Sequence, residues 1–310
     1  MSANPVLRPS LRQLASARNA TASAGAVFAI AVAAGAPAYA GTKGETSPIA
    51  FVETTSELDE GRPATSMWNL TDDNDATIWC SRREATGKEA ISFTFDDAVS
   101  VSAVGMVLPL GKDGATDKSV RRPRVVVVSD VEHRVEVRLK DVTSMQMLEL
   151  PEPAKGRRVV IEIVETYPGS DDAAPICAAG VGLRDRGREL TGNTAARARG
   201  LNVPSRKLLH EWHDDISAPS RTLLFSVDGT FTYIYAPILD DKPPVRLKGK
   251  WLGDAHSVVL DVKGKSFLLK TQLTKVASES GNTVELALSG DAPDPSMAAT
   301  FRPAPLFLPQ

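Results

Sequence analysis

Asp72, Asp73, Asn74 and Asp75, followed closely by Thr77, place hard oxygen donors along one short stretch of chain. Ca²⁺ takes six to eight oxygens, and the backbone carbonyls of a tight loop can complete such a shell. Asp72, Asp75 and Thr77 are the metal ligands this stretch nominates. The spacing is not that of an EF-hand, which needs a central glycine and a distal glutamate. From the residues alone, an Asx-rich turn whose carboxylates cap backbone N–H groups is the favoured alternative. Trp68, Trp79 and Cys80 bracket the loop with large apolar anchors and a potential crosslink.

A second group of chemistry-bearing side chains is His210-Glu-Trp-His213-Asp-Asp215. Its histidines and carboxylates are possible metal ligands. On a strand, however, positions 210 and 213 point to opposite faces, so a surface cluster at a domain entrance is the better reading and zinc the lesser one. The sequence has no G-x-S-x-G elbow, no H-E-x-x-H, no Gly-rich phosphate loop and no cysteine placed as a nucleophile. An enzyme is therefore the less favoured class.

The elements that must position these residues are soluble and β-rich. The chain has 310 residues, with 42% hydrophobic and 24% charged side chains, which is ordinary for a globular protein of about two domains. A formal net charge of -2 supplies no basic field for nucleic acid or an anionic membrane. Residues 1–40 read as a secretory signal: Arg8, Arg12 and Arg18, then the apolar run from Ala24 to Gly35, then Ala38-Tyr-Ala40. The run is shorter than the ~20 residues a membrane span needs, although an uncleaved anchor is the alternative. The mature chain is expected in the periplasm or outside the cell. In an oxidising compartment a disulfide is the default for Cys80 and Cys177, worth about 4 kcal/mol, with two buried free thiols as the alternative.

From residue 47 onward the pattern is mostly β, alternating with period two in Ile91–Phe95 and His133–Leu139 and more continuously apolar in Val101–Leu110. Pro48–Val52, Ile91–Phe95, Val101–Leu110, Arg124–Ser129, His133–Leu139, Met147–Leu150, Arg158–Val164 and Ile176–Leu183 read as short strands, the pattern of an antiparallel sandwich over residues 41–185. Residues 186–204 hold arginines and small polar side chains, too little apolar surface to offset ordering. They are assigned as a linker. Residues 205–303 resume the strand pattern, with Asp228-Gly229-Thr230 and Lys263-Gly-Lys265 as turns. This unit is expected to be a small antiparallel barrel or sandwich, with residues 304–310 as a tail.

The stretch Leu70-Thr-Asp-Asp-Asn-Asp-Ala-Thr-Ile-Trp79 resembles the loop of discoidin-like, galactose-binding-type β-sandwiches, including factor V/VIII type C modules and NADase-type glycan-binding modules. Asp72, Thr77 and Trp79 match that pattern, Ile91–Phe95 sits where its alternating strand would come, and Arg121-Arg-Pro-Arg-Val-Val-Val-Val-Ser129 looks like a later strand. The resemblance implies a jelly-roll sandwich, a structural Ca²⁺ in the aspartate loop and sugar binding through exposed aromatics. Ile176–Leu183 has no glutamate to complete the ion site, and Asp73 stands where a glycine is common. The loop and last strand lie side by side in the family, which would bring Cys80 near Cys177. Trp68 and Tyr167 are the aromatics nominated for ligand contact; for Trp68 a plug at the sandwich end is the favoured alternative. More faintly, Leu247-Lys-Gly-Lys-Trp251 resembles the Gly-x-Trp plug of lipocalin-like barrels.

The expectation is an exported, all-β, non-catalytic recognition protein that binds a glycan or cell-envelope component through its first unit. Two rivals stand beside it. One is a hydrolase or transferase of envelope carbohydrate with carboxylates in an interdomain cleft. The other is a structural subunit of a secreted or periplasmic complex.

Overall fold

Period-two sequence in the first half yields β1 (Ile49–Thr54), β2 (Trp79–Cys80), β3 (Glu89–Val107), β4 (Arg122–Ser129), β5 (Arg134–Arg138), β6 (Gln146–Tyr167), β7 (Cys177–Ala178), β8 (Gly180–Asp185) and β9 (Arg188–Glu189). The computed structural model describes residues 49–58, 63–83, 88–192, 194–201, 203–215, 220–236, 243–278 and 281–305. The expected signal segment, residues 1–40, lies outside these, as do residues 306–310 of the tail.

β3 and β6 each unite two segments that the sequence suggests are separate strands. The register between them shifts between Thr94 and Val99. β6 turns at Gly156, whose φ of +126° is closed to side chains with a Cβ. The start of β3 therefore pairs with β1 and the end of β6, Ile91 facing Ile161, while the far edge of that layer carries β4 and β5. Beyond the bend, Val104 of β3 faces Leu148 at the start of β6, and β8 and β9 follow on the other side. One bent sheet thus supplies both layers of a sandwich, with β2 and β7 as a separate two-stranded ribbon. Phe51, Phe93, Phe95, Ile161 and Leu183 are fully buried within it. Each large apolar side chain contributes about 1.5–3 kcal/mol.

The segment expected to be a solvated linker folds instead. α1 (Thr194–Gly200) packs against the 3₁₀ turn Met67–Thr71, and α2 (Val203–Arg206) follows. Ala195 and Ala198 are fully buried. Alanines need little room, so a short helix rests flat on a core that larger residues have already built.

β10 (Glu211–His213), β11 (Arg221–Phe225), β12 (Thr230–Tyr235), β13 (Val245–Gly253), β14 (Ser257–Val262), β15 (Lys265–Ser278), β16 (Gly281–Gly290) and β17 (Thr300–Pro303) form a closed barrel, sealed by β10 against β17. Gly229 at φ +77° turns the β11–β12 hairpin, and Asp228 Oδ1 accepts the Thr230 N–H at 2.8 Å. Trp212, Phe225, Tyr233, Leu260, Leu286 and Phe301 are fully buried. A Cβ at Gly249 would lie 2.1 Å from the Asp261 carbonyl, so the residue two before Trp251 has to be glycine. Trp251 packs at 4.9 Å on Phe225 and donates from Nε1 to the Ser226 carbonyl at 3.0 Å.

Sandwich and barrel form one compact body. The Val227 N–H donates to the Ala50 carbonyl at 2.8 Å. Asp96 and Asp97, in the irregular stretch of β3, accept from Ser226 Oγ at 2.6 Å and pair with Lys248 at 3.3 Å. Among the described residues no helix is long and apolar enough to cross a membrane.

Candidate functional site

The loop that leaves β6 is built as a clamp. Its near end is held where Arg122 and Pro123 of β4 pair with Tyr167 and Thr166. Its far end is held by β7, where Cys177 stands opposite Cys80 and the two are joined in a disulfide. Ser81 reinforces that end twice: its N–H donates to the Ile176 carbonyl at 2.8 Å, and its Oγ accepts the Ile176 N–H at 3.0 Å. Of the alternatives open in the sequence, the crosslink rather than the free thiols is what the chain forms.

Between these anchors lies an open concavity of about 620 Å³, lined by Arg121, Thr166 and Pro168-Gly-Ser-Asp-Asp172. Its floor depends on Gly169, where a Cβ would meet the Arg121 nitrogen and the Val120 carbonyl carbon, each at 2.9 Å. Arg121 is fixed in place: Nε donates to the Ala174 carbonyl at 2.6 Å. Nη2 is buried, and among the described residues it has no hydrogen-bond partner. Ser170 Oγ donates to the Ser119 carbonyl at 3.1 Å, which ties the loop to the segment before β4. Arg121, the hydroxyls of Thr166 and Ser170 and the adjacent carboxylates of Asp171 and Asp172 thus line one concavity, with Ser170 Oγ also 3.1 Å from Asp171 Oδ2. Such groups read ligand hydroxyls and anionic oxygens through charge-assisted hydrogen bonds.

Neither nominated aromatic is an open platform. Trp68 is 5% exposed and belongs to the buried apolar core. Tyr167 adjoins the concavity but is half-buried, with its hydroxyl donating to the Leu139 carbonyl at 2.9 Å and the Arg124 guanidinium 5.8 Å from the ring centre. Its role in this structure is to hold the end of β6. Trp79 is fully buried and donates from Nε1 to the Ser56 carbonyl at 3.1 Å.

The acidic loop is closed by its own hydrogen bonds. Asp72 Oδ1 accepts the Asn74 N–H at 3.1 Å, Asp72 Oδ2 accepts the Thr77 hydroxyl at 2.8 Å, and Asn74 Oδ1 accepts the Ala76 N–H at 3.2 Å. Asp73 takes a φ of +53°, and burial, then Glu189, Asp72 and Asp75, push its carboxyl above the usual range. Among the described residues no three carboxylate, histidine or cysteine groups converge to hold a metal ion. Of the donors nominated for Ca²⁺, Asp72 and Thr77 meet through that 2.8 Å hydrogen bond, and Asp75 lies on the same loop.

The two histidines of the cluster face different partners, His210 standing just before β10 and His213 at its end. His210 Nδ1 lies 2.5 Å from Glu53 Oε1 of the sandwich, whereas His213 Nε2 lies 3.1 Å from Glu211 Oε1 of its own strand. Carboxylates where sandwich meets barrel are likewise engaged, Asp96 with Ser226, Asp97 with Lys248 and Glu53 with His210.

Arg121, Asp171 and Asp172 escape a reading of the sequence alone. The signal that could have found Arg121 is the pair Arg121-Arg122 at the edge of a strand, since neighbours there point to opposite faces. Arg122 is the inward member, 1% exposed and 3.1 Å from Asp141.

The architecture is that of an all-β chain, a sandwich followed by an eight-stranded barrel. No protein-family model matches the chain, and no curated protein matches it. Among solved structures, the module CpGH89CBM32-5 from Clostridium perfringens, in complex with GalNAc-β-1,3-galactose, is 14% identical, covering 44% of this chain and 94% of its own, with a TM-score of 0.34. The family 32 carbohydrate-binding module of C. perfringens NanJ, in complex with galactose, is 11% identical over 44% of this chain and 98% of its own, with a TM-score of 0.32. The C-terminal domain of a chitobiase from Bacteroides fragilis is 16% identical over 44% of this chain and 91% of its own, with a TM-score of 0.33.

Proposed function

We propose that this chain is an exported, non-catalytic recognition protein that binds a glycan or another hydroxyl-rich envelope component. The site is the concavity between Arg121 and the loop 168–172. The observation that carries the reading is the fixed guanidinium beside the hydroxyls and the paired carboxylates, on a loop clamped at both ends. Clamping matters because a loop already held in place loses little freedom when ligand arrives. Recognition here works by hydrogen bonding at a polar rim, with Tyr167 as support beneath it rather than as a stacking surface.

The test is a glycan array probed with the mature protein and with Arg121→Ala and Asp172→Ala, each checked by thermal melting. Binding should fall by about tenfold or more in Arg121→Ala, the loss of one charge-assisted contact worth about 1.5–3 kcal/mol. An array that stays silent for the folded wild type, or a signal indifferent to Arg121, sinks the proposal.

A further inference from the structure

The outer face of the barrel carries a separate surface. Leu252, Val259 and Leu268 are 71%, 37% and 62% exposed. Single apolar residues at a surface need no explanation. These three stand in register: Leu252 pairs with Val259, and Val259 pairs with Leu268. Cross-strand partners share a face of the sheet, so they make one apolar row across β13, β14 and β15.

The rows on either side decide what fits against it. On one flank Lys250 pairs with Asp261, and Asp261 with Ser266. On the other, Ser257 pairs with Lys270, and Asp254, on the turn after β13, donates its N–H to the Ser257 carbonyl at 2.8 Å. Turning a second copy over, about an axis that lies along the apolar row, exchanges the two flanks. Each apolar side chain then meets its own counterpart. Lys250 of one copy faces Asp254 of the other, Asp261 faces Ser257, and Lys270 faces Ser266. No like charges are opposed, which is the self-complementarity a two-fold contact requires. The N–H groups of His256 and Ser257 donate to Asp254 Oδ1 at 2.8 and 3.0 Å and hold that carboxyl below its usual range, so it presents a stable negative charge.

We propose that this face joins two copies of the chain in a two-fold dimer, with Leu252, Val259 and Leu268 at the centre and two Lys250–Asp254 ion pairs at the rim. A row three side chains long is narrower than a standard interface, so the dimer is weak, with a Kd of about 10 μM to 1 mM. Sedimentation velocity of the mature chain from about 1 μM to 1 mM reads it directly. The expected result is a monomer–dimer equilibrium whose Kd rises at least about tenfold in Leu252→Asn at any ionic strength. Lys250→Glu should also raise it, and about 1 M salt should recover much of that loss, because the repulsion this substitution creates against Asp254 is screened. Melting temperatures close to wild type keep folding out of the comparison. A chain that stays monomeric throughout overturns the proposal, as does a dimer indifferent to Leu252→Asn or a Lys250→Glu defect that salt leaves unchanged.

Discussion

The Cys177 N–H donates to the Arg121 carbonyl at 2.9 Å, and a parallel bridge joins Arg121 to Ile176 beside it. One half of the disulfide and the cation of the candidate site are therefore neighbours through the backbone. The crosslink sets the position of the site as well as the stability of the chain.

Reduction should consequently cost both. Intact mass rises by two hydrogen atoms, and Cys80→Ala/Cys177→Ala loses about 2–5 kcal/mol of unfolding free energy for a loop of separation 97. Glycan affinity at Arg121 should fall in the same variant at temperatures where it remains folded. Unchanged affinity would separate the clamp from the site.

Tyr167→Phe removes the hydroxyl that donates to Leu139. About 1 kcal/mol of stability should go with it, while glycan binding keeps to within about twofold of wild type. An array signal abolished by this single oxygen would show Tyr167 touching ligand directly.

The acidic loop should behave as a turn. Asp72→Ala, which removes the acceptors of the Asn74 N–H and the Thr77 hydroxyl, is expected to cost about 1–2 kcal/mol. Adding Ca²⁺ or a chelator should leave the melting temperature in place. A saturable upward shift with Ca²⁺, lost in Asp72→Ala, would instead establish an ion site.

Acid and alkali should act at different points. Burial alone would raise Asp141, but hydrogen bonds from Lys118, Arg122 and Thr116 outweigh it and hold the carboxyl below its ordinary value. Its stabilisation is complete above the unfolded value of about 3.9 and is lost as pH falls through the lower folded value. Asp141→Asn, which leaves the buried Arg122 underpaired, should cost about 3 kcal/mol at neutral pH and progressively less in acid. At the other extreme, burial pushes the Tyr233 phenol from 10.0 to about 12, against the Ser296 hydrogen bond. The folded state keeps that proton longer, so stability falls as pH rises between those values. Ultraviolet titration should find one tyrosine that ionises only near the upper value, and Tyr233→Phe should flatten the alkaline loss.

Strand patterning in the sequence reaches most of the architecture because alternation records which face is buried. It cannot record a bend. Ile91–Phe95 and Val101–Leu110 look like two strands since Asp96 and Asp97 interrupt the apolar pattern between them, yet these aspartates are there because they hold the barrel. Residues 186–204 look unfoldable when surface is weighed by side-chain size, a measure that overlooks alanines laid on an existing core. The site is less legible still. Trp68 and Tyr167 stand out by type, whereas what makes Arg121 notable is the pairing of its neighbours and the glycine under it, both visible only in three dimensions.

The irregular stretch of β3 has a mechanical meaning. β3 hydrogen-bonds to β1, β6 and β8, and its two aspartates are also gripped by Ser226 and Lys248 of the barrel. Should the barrel be tethered while the sandwich holds its ligand, tension between them would be shared by this central strand, by β1 through Ala50 and Glu53, and by the chain that leaves β9.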